Sequence, residues 1–137
     1  MTADPSTEKP KALLIEDDHV FRQIVMISLA KRGYDVVEAV SFEEGREVIE
    51  NVSLSFVMTG IFMEGMVGIA GIQVFKGKFP NLPVIAISGG WAGLDPDDAI
   101  AAAQKIDADA GVKKSISAID FDATLKQIGR GAPVNSF

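Results

Sequence analysis

The sequence predicts an α/β fold in which helices cover both faces of a doubly wound, five-stranded parallel sheet. Short apolar runs, typical of strands buried on both faces, alternate with segments that have helical periodicity. This alternation recurs about every 25 residues and gives five strand-helix repeats. Each right-handed crossover places its helix on one face of the sheet. The 137 residues provide enough chain for one domain of this kind.

The first repeat begins with an apolar run that ends in acids, so the first strand is predicted over Lys11 to Glu16. The following helix is predicted to end at Gly33, a typical C-terminal cap. Its apolar residues recur at helical spacing: Phe21, Ile24, Val25 and Leu29.

The second repeat combines a β-rich run, Tyr34 to Ala39, with a helix that continues to about Glu50. Ser41 and Glu44 have the spacing of a capping box at the start of this helix. The third strand is predicted over Leu54 to Thr59.

The later repeats follow the same alternation. The third helix is predicted from Ile69, Ile72 and Phe75 and closes before Pro80. Asp95, with proline at the next position, is predicted to open the fourth helix. The fourth and fifth strands are predicted over Val84 to Ile87 and Ala110 to Val112, and the last helix carries Phe121, Leu125 and Ile128 and ends at Gly129.

These boundaries predict one domain over residues 11–129, with a flexible N-terminal segment at 1–10 and a C-terminal tail at 130–137. The first ten residues are polar and lack the apolar core of a secretory signal, so we expect a cytoplasmic protein. The absence of cysteine excludes disulfides and thiolate ligands and is compatible with a reducing compartment.

The composition is globular, with 47% hydrophobic and 23% charged residues and no apolar run long enough to cross a membrane. The net charge is −6, and no basic stripe is present. Direct nucleic-acid binding is therefore not expected.

The predicted sheet brings the ends of four strands to one edge, where parallel sheets bind ligands. Glu16, Asp17 and Asp18 follow the first strand, and clustered carboxylates of this kind suit magnesium. Asp18 has an alternative role as the cap of the following helix. The other strands end at Thr59-Gly60, at Ser88 and at Lys113-Lys114.

These ordered motifs, namely Asp17-Asp18, TGIFMEGMVG, VIAIS and DADAGVKKSI, resemble those of bacterial response-regulator receiver domains of the chemotaxis-regulator type. The resemblance covers about residues 11–129 and implies a flavodoxin-like sheet with strand order 2-1-3-4-5 and five helices. It also implies that Asp17, Asp18 and the backbone carbonyl of Phe62 serve magnesium, and that Ser88 and Lys114 contact a phosphoryl group.

The chain departs from the family pattern at the centre of this site. Gly60 stands where the family has its phosphate-accepting aspartate, so no side chain is available for phosphorylation there. Gly111, three residues before Lys114, stands where the family usually has its aromatic switch residue. Glu64 and Ser115 replace prolines that are usual in the family. We therefore expect weak magnesium binding and a Lys114 side chain that turns toward Asp17 or Asp18.

Three further residues have competing interpretations. Glu64 is a candidate substitute for the phosphate-accepting aspartate. It is predicted to lie on a loop and not at the strand end, so we do not expect it to have in-line geometry with the acids. His19 is a candidate ligand or phosphorylation site, although a single histidine in a first helical turn is usually just exposed. Trp91, in a glycine-rich loop, either folds back onto the domain or contacts a partner.

The resulting functional hypothesis is a stand-alone receiver-like module that is not phosphorylated at the usual site and acts through protein-protein binding. The resemblance implies a histidine kinase, a phosphotransfer protein or another receiver as partner, and we expect a monomer or a weak homodimer. Two alternatives remain: an ordinary phospho-accepting regulator in which Gly60 is a substitution, and a sensor that binds a small anion in the vacated pocket. No catalytic set is complete, so an enzyme is not expected.

Overall fold

The structure, a computed structural model, describes residues 9–61, 68–88, 108–113 and 118–128. Strands and helices alternate through these ranges, as the sequence predicts. In chain order the elements are β1 (Lys11–Ile15), α1 (His19–Lys31), β2 (Asp35–Ala39), α2 (Phe42–Asn51), β3 (Phe56–Gly60), α3 (Gly68–Lys78), β4 (Val84–Ser88), β5 (Ala110–Lys113) and α4 (Ala118–Gln127). The helix predicted to open at Asp95 and the two terminal segments, 1–8 and 129–137, lie outside the described residues.

The five strands form one sheet in the order β2-β1-β3-β4-β5, and every neighbouring pair is parallel. The predicted fold class and strand order are therefore confirmed. One row of ladder partners crosses four strands, from Ile15 to Thr59, Ala86 and Gly111. Because the strands are parallel, their carboxyl ends lie together at one edge of the sheet.

Two apolar cores lie on opposite faces of the sheet, because successive strand residues point to opposite faces. Leu13 and Ile15 pack with residues of α2 and α3 in one core. Ala12 and Leu14 pack with residues of α1 and α4 in the other. Three strands, β1, β3 and β4, are buried along almost their whole length, which explains their continuous apolar runs.

The ends of α1 and α2 follow the predicted caps. Gly33 has a φ of 91°, a left-handed conformation that glycine adopts without steric cost, and its N–H donates to Ala30 O at 3.1 Å. Ser41 Oγ accepts from the N–H of Glu44 at 3.2 Å. The Glu44 carboxylate reaches the N–H of Val40 at 3.4 Å, so the capping box closes one residue earlier than predicted.

Polar side chains connect elements that are distant in sequence. Arg32 Nε donates to Asp122 Oδ1 at 2.6 Å and joins the end of α1 to α4. This hydrogen bond lowers the pKa of the Asp122 carboxyl. The Asp109 carboxylate accepts from Lys76 Nζ at 2.9 Å and from the N–H of Val84 at 2.8 Å, which fixes the start of β5 beside β4. Within the described ranges, none of the helices has the length and apolar character needed to span a bilayer.

Candidate functional site

The acids after β1 take different positions at the carboxyl edge of the sheet. Glu16 is 1% exposed, and its Oε2 accepts from the backbone N–H of Asp18 at 2.9 Å. Asp17 is exposed. Asp18 is the N-cap of α1, where its Oδ1 accepts from the N–H of Phe21 at 3.1 Å. The three carboxylates therefore do not form one cluster with a shared direction.

The structure gives Asp17 and Asp18, the two acids that the resemblance assigns to magnesium, different positions. The alternative role of Asp18 as a helix cap is present in the structure. Glu16 belongs to the acidic run at the end of β1 but not to the pair that the resemblance assigns to the metal, and it is the acid that turns into the protein. Across the described ranges, no group of three or more histidine, cysteine, aspartate or glutamate residues is arranged to hold a metal ion.

Arg22 is a component of this edge that the sequence analysis missed. Its Nη1 donates to the carbonyl oxygen of Glu16 at 2.8 Å, and its Nε donates to Glu38 Oε1 at 2.9 Å. Its third guanidinium nitrogen, Nη2, lies 3.0 Å from His19 Nδ1. Arg22 thus connects α1 to the ends of β1 and β2 and brings a positive charge beside the acids. No local sequence signal identifies it, because Glu38 is 16 residues away.

Gly60 ends β3 in a buried position. It pairs with Ile87 of β4, and the residue before it, Thr59, pairs with Ile15 of β1. By this register Gly60 lies level with Glu16, the residue after Ile15. The end of β3 therefore presents backbone where the resemblance expects a carboxylate.

Ser88 and Gly111 occupy the strands on the other side of Gly60. Ser88 is the last residue of β4, is 1% exposed and pairs with Lys113. Gly111 lies inside β5 and pairs with Ala86. At the position that the resemblance assigns to the aromatic switch, β5 thus has no side chain.

Several predicted site residues fall outside the described part of the chain: Phe62, Glu64, Trp91, Lys114 and Ser115. The proposed roles of Phe62 and Lys114, and the orientation of Trp91, stay predictions. The described ranges place an inward carboxylate, an exposed carboxylate and a serine at the same edge of the sheet. Carboxylate and hydroxyl oxygens of this kind suit a cation or another polar ligand.

The family model of the response regulator receiver domain matches residues 12–126. The uncharacterized transcriptional regulatory protein YcbL of Bacillus subtilis (strain 168) is 30% identical over 120 residues, which are 88% of this chain and 51% of YcbL. A cyclic di-GMP phosphodiesterase of Thermotoga maritima is 28% identical over 77% of this chain and 27% of its own length. The chain spans about half of the first of these relatives and less of the second.

Solved receiver domains have the same fold. A response regulator receiver domain protein from Clostridium thermocellum superposes with a TM-score of 0.74 at 26% identity, covering 87% of this chain and 93% of that one. The receiver domain of NtrX from Brucella abortus gives a TM-score of 0.77 at 22% identity, covering 85% and 96% of the two chains.

Proposed function

The chain belongs to the response regulator receiver domain family of two-component systems, and from this premise we propose that it is a signalling module that does not accept a phosphoryl group at the usual position. It acts by protein-protein binding. The observation that carries the proposal is Gly60, the buried residue at the end of β3, where the family resemblance places the acceptor aspartate. Glycine offers no oxygen to a phosphodonor.

The surrounding edge supports a receiver that has lost its acceptor. Glu16 and Asp17 follow β1, and Ser88 ends β4 one residue beyond the ladder partner of Gly60. These residues keep the positions that a metal-dependent phosphoryl site would use. A cation at this edge would use Glu16 and Asp17, because Asp18 already caps α1. With one carboxylate missing, we expect such a cation to bind weakly.

Gly111 supports a second part of the proposal, that no phosphate-dependent switch operates. In a coupled receiver, a change at the phosphoryl site must bias a second element that takes two positions. β5 carries glycine where the resemblance places the aromatic side chain of that element. The surface that binds the partner therefore keeps a single conformation that does not depend on phosphorylation.

The family resemblance suggests where binding occurs and what binds. The usual output face corresponds to residues 97–129, of which the structure describes β5 and α4. We propose a histidine kinase, a phosphotransfer protein or another receiver as partner, in the cytoplasm. The proposed role is binding and not catalysis.

Intact-mass analysis of the unaltered chain after incubation with magnesium and acetyl phosphate tests this function. The expected mass is unchanged, while a conventional receiver domain in the same reaction gains a phosphoryl group. Amide NMR spectra recorded with and without the donor should coincide. Stoichiometric phosphorylation of the unaltered chain would overturn the proposal, and peptide mapping would then locate the acceptor.

A further inference from the structure

The outer face of α1 carries an exposed apolar stripe. Val20 is 68% exposed, Ile24 56% and Ile27 53%. They stand at positions i, i+4 and i+7, so their side chains form one row along the helix. The buried residues of α1 are a different set, Phe21, Val25 and Leu29, which pack into the core. Helix α1 is therefore apolar on a second face that the core does not cover.

The spacing of the stripe is that of a helix-helix seam. Successive steps of four and three residues join Val20, Ile24 and Ile27, and a further step of four reaches Lys31. Alternating steps of three and four keep side chains on the surface through which two helices pack together. The geometry thus favours another helix as the occupant of this face.

The charges at the two ends of α1 favour a second copy of the same helix as the one that packs on this stripe. Exposed Asp17 precedes the N-terminal end of α1, and exposed Lys31 lies at its C-terminal end. Between His19 and Lys31 the only charged side chain is Arg22, which is 11% exposed and bonded to Glu38. The middle of the stripe therefore brings no like charges together when two copies of it meet.

We propose that two copies of this chain associate through antiparallel packing of their α1 helices, with Ile24 near the two-fold axis. In this arrangement the acidic end of each helix lies beside Lys31 of the other copy, and the helix dipoles oppose each other favourably. Parallel packing would place acid against acid and lysine against lysine. The association does not depend on Gly60 and so goes beyond the proposed function.

Sedimentation equilibrium of the full chain tests the apolar part of the interface. The unaltered chain should show reversible dimerisation that depends on concentration. Ile24→Glu should weaken it by about tenfold or more, because a charge replaces a central apolar contact. Val74→Glu is the matched control: Val74 is 40% exposed on α3, on the other side of the sheet. Circular dichroism checks that both variants are folded. A chain that stays monomeric, or a dimer that survives Ile24→Glu, would overturn the proposal.

The chain has no cysteine, so single-cysteine variants test the orientation cleanly. In the antiparallel pair the two residues at position 24 lie together, whereas those at position 31 lie about 21 Å apart along the helix axes. Ile24→Cys should therefore form disulfide dimers much faster than Lys31→Cys or the control Val74→Cys. Equal rates for Ile24→Cys and Val74→Cys would overturn the interface, and rapid self-linking of Lys31→Cys would overturn its antiparallel orientation.

Discussion

Gly60 and Ile87 are partners in the parallel ladder between β3 and β4, and Ser88 follows Ile87 directly. The ladder therefore places the serine one residue beyond a strand end that has no side chain. On the other side of Gly60, the same register puts the buried Glu16 level with it. At the position that we assign to the acceptor, the sheet edge therefore has a residue without a side chain, with Glu16 level with it on one side and Ser88 one residue further on the other.

Magnesium should have little effect on the stability of the unaltered chain. A ligand that binds only the folded state raises the melting temperature by an amount that grows with the logarithm of its concentration relative to its dissociation constant. The described residues form no three-ligand cluster for a metal. We expect the melting temperature with several millimolar magnesium and that with EDTA to differ by less than about 2 °C. A clearly larger rise would contradict the weak binding that we expect.

Arg22 should stabilise the fold by joining α1 to the ends of β1 and β2. Replacing it by glutamine removes its hydrogen bond to the Glu16 carbonyl and its ion pair with Glu38. We expect Arg22→Gln to lower the free energy of unfolding by about 1–2 kcal/mol, measured by urea denaturation.

Lys78→Gln is the control for Arg22→Gln. The Lys78–Glu50 pair is short, at 2.6 Å, but the Lys78 side chain is 60% exposed. Exposed ion pairs of this kind contribute little, so Lys78→Gln should lower the free energy of unfolding by clearly less than Arg22→Gln. Equal losses in the two variants would show that burial of Arg22 does not strengthen its contacts.

Two glycines in helices should respond in opposite ways to alanine. A Cβ at Gly45 would lie 2.7 Å from Ile15 Cγ1 and would also meet Ile15 Cδ1, and Ile15 is fully buried. A Cβ at Gly77 meets nothing within 4 Å. We expect Gly45→Ala to destabilise the fold by about 1 kcal/mol or more, and Gly77→Ala to stabilise it by up to about 1 kcal/mol. Chemical denaturation of both variants measures the sign, and a stabilising Gly45→Ala would show that Ile15 repacks easily.

Arg32 should control the titration of Asp122. Because the hydrogen bond from Arg32 lowers the pKa of this carboxyl, Arg32→Gln should raise the pKa toward its ordinary value. The stabilising effect of the pair is present above the pKa of the unfolded chain and is lost as pH falls through the lower folded-state pKa. Carbon-13 NMR titration of the Asp122 carboxyl in both proteins measures the shift. Glu50, whose pKa is lowered by Lys78, should titrate identically in the two.

The sheet was predictable from sequence because β1, β3 and β4 are buried on both faces and therefore read as continuous apolar runs. Local signals also identified Gly33 and Ser41, since each acts within its own turn. Predicted strand boundaries differ from the observed ones by one or two residues, which is usual where pairing frays at the ends.

The candidate site was less predictable because it depends on directions and on distant partners. Three consecutive acids look alike in sequence, and only the backbone path decides that Glu16 turns inward while Asp18 caps α1. Arg22 in α1 pairs with Glu38 in β2, so this contact can be recognised only from the tertiary structure. Gly60 is assigned to the acceptor position from the motif around it, and this assignment stays a prediction.

Restoring the acceptor tests the central claim most directly. The measurement is intact-mass analysis with peptide mapping after incubation with magnesium and acetyl phosphate, applied to the unaltered chain, Gly60→Asp and Gly60→Asn. The asparagine variant has nearly the same size as the aspartate variant but lacks the nucleophilic carboxylate. Circular dichroism confirms that each variant is folded.

We expect only Gly60→Asp to gain a phosphoryl group, at residue 60, because this variant alone has a carboxylate at that strand end, beside the acids after β1 and Ser88. A folded Gly60→Asp that stays unmodified, or an unaltered chain that is phosphorylated, would contradict the proposal that the phosphoryl site lacks its acceptor but keeps the residues around it.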